Sequence, residues 1–99
     1  MLNKKEYLLI CLMEELNEVS QNLSKCLRFT AEHVYDSSGL TNLDRVCNEL
    51  QDMDLIRKLL KEEGVDTYHI DERYTNEKAR RTEMYMGIAR ELACLESAI

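Results

Sequence analysis

Hydrophobic and polar positions alternate with a helical period along most of this chain. In residues 3–29, apolar side chains recur every three or four positions, and neither glycine nor proline interrupts the run. We therefore predict a long first helix over residues 3–29. Its main apolar stripe consists of Leu8, Leu9, Leu12, Leu16, Val19, Leu23 and Leu27. Ile10 and Met13 lie off this stripe, which indicates a second packing partner.

The second helix has a clear start and a clear end. Thr41 is a suitable N-cap, and Asp44, three residues later, completes a short version of the capping box. The helix should run to Glu63 and stop at Gly64, which has the position of a C′ glycine.

The rest of the chain is predicted to form two irregular connections and a third helix. Residues 30–40 include an Asp-Ser-Ser-Gly sequence, and residues 65–74 have no sustained period. The third helix should begin at about Thr75. Its apolar side consists of Met84, Tyr85, Ile88, Leu92 and Leu95. No segment has a strand pattern, so the sequence predicts an all-α protein with three long helices.

Two pairs of acids border the apolar stripes of the first two helices. Glu15 and Glu18 are three residues apart, and Glu49 and Asp52 repeat that spacing. At about 100° per residue, each pair projects from one side of its helix, and packing the stripes together brings the four carboxylates face to face. Without a cation they would repel one another. The pattern predicts a site for Mg²⁺, with Mn²⁺ as an alternative, and the competing interpretation is surface acids paired with Lys and Arg.

The same acids carry a resemblance to a known family. Residues 14–29, which end in Ser-Lys-Cys-Leu-Arg-Phe, and residues 41–49 resemble the MazG-like, all-α nucleoside triphosphate pyrophosphohydrolases. Dimeric dUTPases share this acid pattern, and the short members carried by bacteriophages are the most similar. The resemblance covers most of residues 7–60 and extends more loosely into the third helix. The chain departs from the family pattern at Asp54, where an apolar residue is commoner.

The resemblance implies a metal-dependent enzyme that cleaves a nucleotide between its α- and β-phosphates and releases a monophosphate and pyrophosphate. One or more Mg²⁺ ions would bridge phosphate oxygens and lower the pKa of a bound water. Glu15 or Glu18 is the predicted catalytic residue that accepts the proton of this water. The substrate could be a canonical or damaged deoxynucleoside triphosphate, dUTP, or a signalling nucleotide such as a guanosine polyphosphate.

Polar residues further along the first helix are candidate substrate ligands. Lys25 lies about two turns beyond Glu18 on the acid stripe, where it could contact a phosphate or form a salt bridge with a site acid. Arg28 lies toward the exposed side and could contact substrate or a neighbouring subunit. Asn22 could donate a hydrogen bond to the sugar or base, or be an ordinary boundary residue.

The third helix and its approach supply further candidates. Lys78 and Arg81, three residues apart, would suit triphosphate oxygens, with a solvated charge pair as the alternative. The aromatic side chains considered for stacking on a base are Tyr68, Tyr74 and Tyr85, although tyrosines at helical spacing are more often part of a core.

Composition limits the class of protein and its partners. With 99 residues, 44% of them hydrophobic, the chain is predicted to form one MazG-like helical domain over residues 1–99. Its net charge of −6 does not suit a nucleic-acid polymer, so any nucleotide should be small. The four cysteines are predicted to be buried, reduced thiols. The first apolar run is too short to span a bilayer, and we predict a cytoplasmic protein, in the host cytoplasm if it is phage-encoded.

Three helices do not complete a four-helix bundle. We therefore predict a homodimer or homotetramer, in which a two-fold partner covers Ile10 and Met13 and completes a four-helix-bundle-like core. The family resemblance implies the same assembly, with active sites near the subunit contact. An alternative function is a non-catalytic helical interaction module, or a nucleotide-binding sink, that keeps the acids for cation binding.

Overall fold

The computed structural model describes residues 1–97 and contains three α-helices, with no strand in that range. Helix α1 is Lys4–Phe29, α2 is Asn42–Glu62 and α3 is Glu72–Glu91. The all-α prediction is confirmed. The chain divides into two compact units, Met1–Tyr68 and His69–Ile99.

In the first unit, α1 and α2 pack together as an antiparallel pair. Lys4 at the start of α1 forms a 2.9 Å salt bridge with Glu63 at the end of α2, which fixes the direction of the pairing. The buried apolar residues of the described chain are Leu8, Val46 and Leu60. A core of this size leaves much of the helical surface uncovered, so packing between α1 and α2 accounts for only part of the apolar content of the chain.

The face of α1 that packs on α2 differs from the predicted stripe. Only Leu8 of the predicted set is buried, and the half-buried or buried side chains lie at Leu8, Cys11, Leu12, Glu15, Val19, Asn22, Lys25 and Cys26. A second apolar row, here called the α1 seam, is 40–89% exposed and consists of Leu9, Met13, Leu16, Leu23 and Leu27. Because α1 carries apolar residues on more than one face, a single partner helix covers only one of them. The four- and three-residue steps of the seam are those of a coiled-coil contact.

Two of the four cysteine predictions are wrong. Cys11 and Cys26 are half-buried on the α2-facing side of α1, but Cys47 and Cys94 are exposed. All four are free thiols. Since α1 covers one side of α2, a cysteine on the other side of α2 remains in solvent.

The connection between α1 and α2 is fixed where it leaves one helix and enters the other. Asn42 is fully buried, and its Nδ2 donates a 2.9 Å hydrogen bond to the carbonyl oxygen of Thr30. The backbone N–H of Asn42 donates to the carbonyl of His33 at 3.0 Å, and that of Leu43 to Ala31 at 2.9 Å. Thr30 has a φ of 84°, which is unusual for a β-branched residue, and the Asn42 amide holds its carbonyl in that conformation.

The helix boundaries of α2 confirm the capping predictions. The backbone N–H of Asp44 donates to the Thr41 hydroxyl and that of Thr41 donates to the Asp44 carboxylate, both at 3.0 Å. At the other end, Gly64 has a φ of 85°, a left-handed conformation that glycine adopts without steric cost.

Helix α3 begins earlier than predicted. Asp71 is its N-cap and accepts hydrogen bonds from the backbone N–H groups of Arg73 and Tyr74, at 3.0 and 3.3 Å. The prediction of a start near Thr75 missed this cap, since aspartate forms such a cap as readily as threonine. The helix ends at Glu91, so Leu92 and Leu95 of the predicted apolar side lie beyond it. No residue of α3 is buried.

The segment that follows α2 is tied back to that helix. The Tyr68 hydroxyl donates a 2.6 Å hydrogen bond to the carboxylate of Asp54, and Arg57 Nε donates to Thr67 Oγ1 at 2.8 Å. The hydrogen bond from Tyr68, and after it the one from Lys58, hold the pKa of Asp54 below its usual value. Asp54, the residue that departs from the family pattern, is therefore a structural acid in this chain.

No helix in the described part of the chain is both long enough and apolar enough to cross a membrane.

Candidate metal centre

Three carboxylates from two helices converge in the first unit. Glu15 and Glu18 come from α1 and Glu49 comes from α2, and one carboxylate oxygen of each lies within 4.8 Å of the others. The antiparallel packing of α1 on α2 produces this arrangement, because both helices place their acids at the border of the shared interface. The structure thus brings together three of the four predicted metal ligands.

Asp52, the fourth predicted ligand, lies outside this group. It follows Glu49 by three residues on α2, is exposed, and is not among the clustered carboxylates. A three-residue step rotates a side chain by about 60° from its predecessor, so two residues with this spacing share a side of the helix without converging on one point.

The carboxylates of the cluster lack the partners that would neutralise them. Glu15 and Glu49 are half-buried, and each has an Oε2 atom that is buried and without a hydrogen-bond partner in the described chain. Glu18 is exposed. Among the described residues, no Lys, Arg or His forms a salt bridge with any of the three. The competing interpretation, in which these acids pair with Lys or Arg, therefore does not apply to Glu15, Glu18 or Glu49 within residues 1–97.

Mutual proximity changes the acidity of the site. The carboxylate of Glu18, and after it that of Glu15, lies close enough to share a proton with Glu49, and this proximity, followed by burial and the negative charges of both neighbours, raises the pKa of Glu49 to about 8. Two carboxylates cannot share a hydrogen bond unless one carries a proton, so a proton stabilises the cluster when no cation does. Three converging carboxylates, of which Glu15 and Glu49 each have a buried, unpartnered oxygen, suit Mg²⁺, which completes its octahedral shell with water and phosphate oxygens.

The raised pKa of Glu49 predicts a pH-dependent stability of the metal-free protein. Because the pKa is about 8 in the folded chain and near 4.5 in the unfolded one, the folded state holds an extra proton between these values. The free energy of unfolding should therefore fall as the pH rises through this window and level off above it. Glu49→Gln should remove this slope and Glu14→Gln should keep it, as measured by chemical denaturation in EDTA. An identical slope in the Glu49→Gln protein would contradict the assignment.

The cationic candidates on α1 line an open groove that follows Glu18 along the helix, here called the α1 groove. The groove has a volume of about 340 Å³ and is lined by Ser20, Gln21, Ser24, Lys25 and Arg28. Lys25 is half-buried, and its Nζ lies 5.1 Å from the centre of the Tyr35 ring. Within the described chain, neither Lys25 nor Arg28 forms a salt bridge, so the predicted alternative of a Lys25 ion pair with a site acid does not occur there.

Asn22 lies one turn beyond Glu18 and is only 9% exposed. Its predicted contact with a sugar or base stays a prediction.

Lys78 and Arg81 lie on α3, in the second unit. Arg81 is 3.9 Å from the carboxylate of Glu77, which also binds Arg80 at 2.6 Å. The local contacts on α3 are thus those of a charged helix surface, and the predicted contact of Lys78 and Arg81 with triphosphate stays a prediction.

An aromatic cavity is the part of this region that sequence reasoning missed. It has a volume of about 220 Å³, a mostly apolar lining, and walls formed by Lys25, Phe29, His33 and Tyr35. The one sequence signal was the four-residue step from Lys25 to Phe29, which places both on one side of α1. Of the tyrosines considered for stacking, Tyr68 has the structural role described above.

The family resemblance that the sequence suggests finds no independent support in known proteins. Comparisons of the chain with protein-family models, with curated proteins and with solved structures found no match.

Proposed function

We propose that this protein is a divalent-cation-dependent hydrolase that cleaves a nucleotide between its α- and β-phosphates. The observation that carries the proposal is the convergence of Glu15, Glu18 and Glu49, two of which, Glu15 and Glu49, have a buried, unpartnered carboxylate oxygen. Two members of the cluster, Glu15 and Glu18, lie on the same helix as a groove whose two cations form no salt bridge within residues 1–97. A cation site followed by an anion site on one helix is the arrangement that a metal-bridged polyphosphate requires.

The residues of the cluster divide into two roles. Glu15 and Glu49, with their buried oxygens, would be the main cation ligands, and Glu18 would contribute from the exposed side. When bound, Mg²⁺ supplies Lewis-acid chemistry, since it neutralises charge on phosphate oxygens and acidifies water. Glu18 is accessible to solvent and is the best placed of the three to accept the proton of an attacking water.

The α1 groove would hold the α-phosphate, which stays with the nucleoside. Ser20, Ser24 and Arg28 are spaced four residues apart and present two hydroxyl donors and a guanidinium along one side of α1. The Lys25 ammonium lies in the same groove. Charge-assisted hydrogen bonds from these cations would stabilise the negative charge on the oxygens of the α-phosphate as water attacks it.

Lys25→Ala should weaken nucleotide turnover by roughly ten- to a hundredfold, the usual effect of losing a hydrogen bond to a charged group. Mg²⁺ affinity measured without nucleotide should stay close to that of the wild type, because Lys25 contacts no carboxylate of the cluster. Lys5→Ala, at an exposed position of the same helix, is the matched control. A change in Mg²⁺ affinity with unchanged nucleotide kinetics would favour a purely structural Lys25.

The alternative is a non-catalytic interaction module or nucleotide sink, and the exposed α1 seam is the observation that favours it. Pyrophosphate release across a panel of nucleotides separates the two functions. The panel should contain canonical and oxidised deoxynucleoside triphosphates, dUTP and a guanosine polyphosphate, each with Mg²⁺, Mn²⁺ or EDTA. Turnover that EDTA abolishes supports the hydrolase, whereas tight binding without turnover supports the sink.

A further inference from the structure

We propose that the aromatic cavity at the end of α1 binds the nucleobase of the substrate. This inference rests on the proposed function, because it assigns the base of the nucleotide whose α-phosphate occupies the α1 groove. The cavity is formed by the last turns of α1, with Lys25 and Phe29, and by the loop that follows, with His33 and Tyr35. Its lining is mostly apolar, as an aromatic ring requires.

The rings in this cavity are accessible to a ligand. Phe29 and Tyr35 are 51% and 49% exposed, although both are large aromatic side chains. The ring centres of Phe29 and His33 are 6.0 Å apart and the rings are tilted by 38°, so they form one continuous aromatic wall. Exposed rings that border a cavity offer stacking surface, and stacking on aromatic side chains is a general way in which proteins bind bases.

The Tyr35 side of the cavity is restrained by Arg45 in the absence of a ligand. The guanidinium of Arg45 lies 4.5 Å from the centre of the Tyr35 ring and forms a 2.7 Å salt bridge with Asp36. Arg45 also donates to Ser38 Oγ at 3.2 Å. Because Arg45 is held by Asp36 and Ser38 of the same loop, Tyr35 is restrained, and less conformational entropy is lost when a ring docks against it.

Lys25 connects the cavity with the α1 groove, since it lines both. Along α1, the acids of the cluster come first, the α1 groove second and the aromatic cavity third. These would hold the cation, the α-phosphate and the base of one nucleotide. This continuity sets the substrate class: the protein should select nucleotides over inorganic polyphosphates and phosphorylated sugars, which have no ring to fill the cavity.

Equilibrium binding of AMP and of ribose 5-phosphate in EDTA tests the proposal without metal or hydrolysis. Wild-type protein should bind AMP about tenfold more tightly than ribose 5-phosphate, as expected for one stacked base. Phe29→Leu should bring the two affinities together by weakening AMP binding alone, and Phe29→Tyr should restore the difference. Tyr7→Leu, at an exposed tyrosine near the start of α1, should leave it unchanged.

Equal affinities of the wild type for the two probes would overturn the proposal. So would a preference for AMP that survives in both Phe29→Leu and Tyr35→Leu, each checked for native helix content by circular dichroism. The outcome is separable from the proposed function. A protein that prefers AMP as described but releases no pyrophosphate keeps the base site and refutes the hydrolase, whereas a hydrolase without that preference refutes the base site alone.

Discussion

Glu49→Gln should lower nucleotide hydrolysis by at least about 100-fold while the protein remains folded. Glu49 is the only member of the cluster that α2 supplies, so its loss leaves a cation with ligands from α1 alone. The substitution removes no core volume, because Glu49 is half-buried and glutamine has nearly the same size. Steady-state pyrophosphate release and titration calorimetry with Mg²⁺ are the measurements, and both turnover and metal affinity should fall.

The same variant should be more stable than the wild type in EDTA at a pH above 8, since it removes the repulsion among three carboxylates. Glu14→Gln, at an exposed position next to Glu15 in sequence, should have wild-type activity and metal affinity. Asp52→Asn then decides whether the fourth predicted ligand takes part when metal and substrate are bound. Wild-type turnover by Glu49→Gln would refute the metal centre.

Lysine at both Leu16 and Leu23 should convert a homo-oligomer into a monomer. Both residues belong to the α1 seam and are about half exposed in the single chain, at 51% and 49%. Burial of such a side chain is worth roughly 1.5–3 kcal/mol, and a two-fold contact buries each residue in both copies. Sedimentation velocity should show the mass fall to that of one chain. Turnover should fall with it, because Lys25 and Arg28 lie on the same helix.

Leu55→Lys on α2 is the matched control, since Leu55 is 56% exposed but lies outside the seam. Ile10, which like Met13 lies off the predicted stripe of α1, is also exposed, at 41%. The variant Ile10→Lys therefore tests how far the subunit contact extends around α1. A wild-type chain that sediments as a monomer at micromolar concentration would contradict the prediction. Dissociation caused equally by Leu55→Lys would place the contact on α2.

The features that the sequence predicted correctly depend on local chemistry. The capping box of Thr41 and Asp44 and the left-handed Gly64 are decided by residues within one helical turn, so α2 could be located closely. The approach of Glu15 and Glu18 to Glu49 followed from helical spacing plus one assumption, that α1 packs on α2. The packing of α1 on α2 is thus the one tertiary contact on which the predicted acid cluster depends.

The features that were missed depend on which face of a helix is covered. Helix α1 has leucines around much of its circumference, and no local rule decides that Leu8 is buried while Leu16 and Leu23 are exposed. The position of Tyr35 depends on Arg45 of α2, a contact between the loop and a helix that period and propensity do not describe. Aromatic residues in the irregular loop carried no periodic signal, which is why the cavity was not predicted.

The hydrogen bonds of Asn42 hold the two ends of the loop between Thr30 and Thr41 together. This affects which parts of the chain can change in sequence without altering the rest of the structure. Apart from the Asn42 side chain, these bonds use only backbone atoms of the loop and the helix ends, so side-chain replacements within the loop need not disturb the carboxylates on α1 and α2. His33 and Tyr35 belong to this loop. Selection acting on the loop alone could thus change the ligand preference of the proposed base site while the acid cluster stays in place, and directed libraries that test that site should begin there.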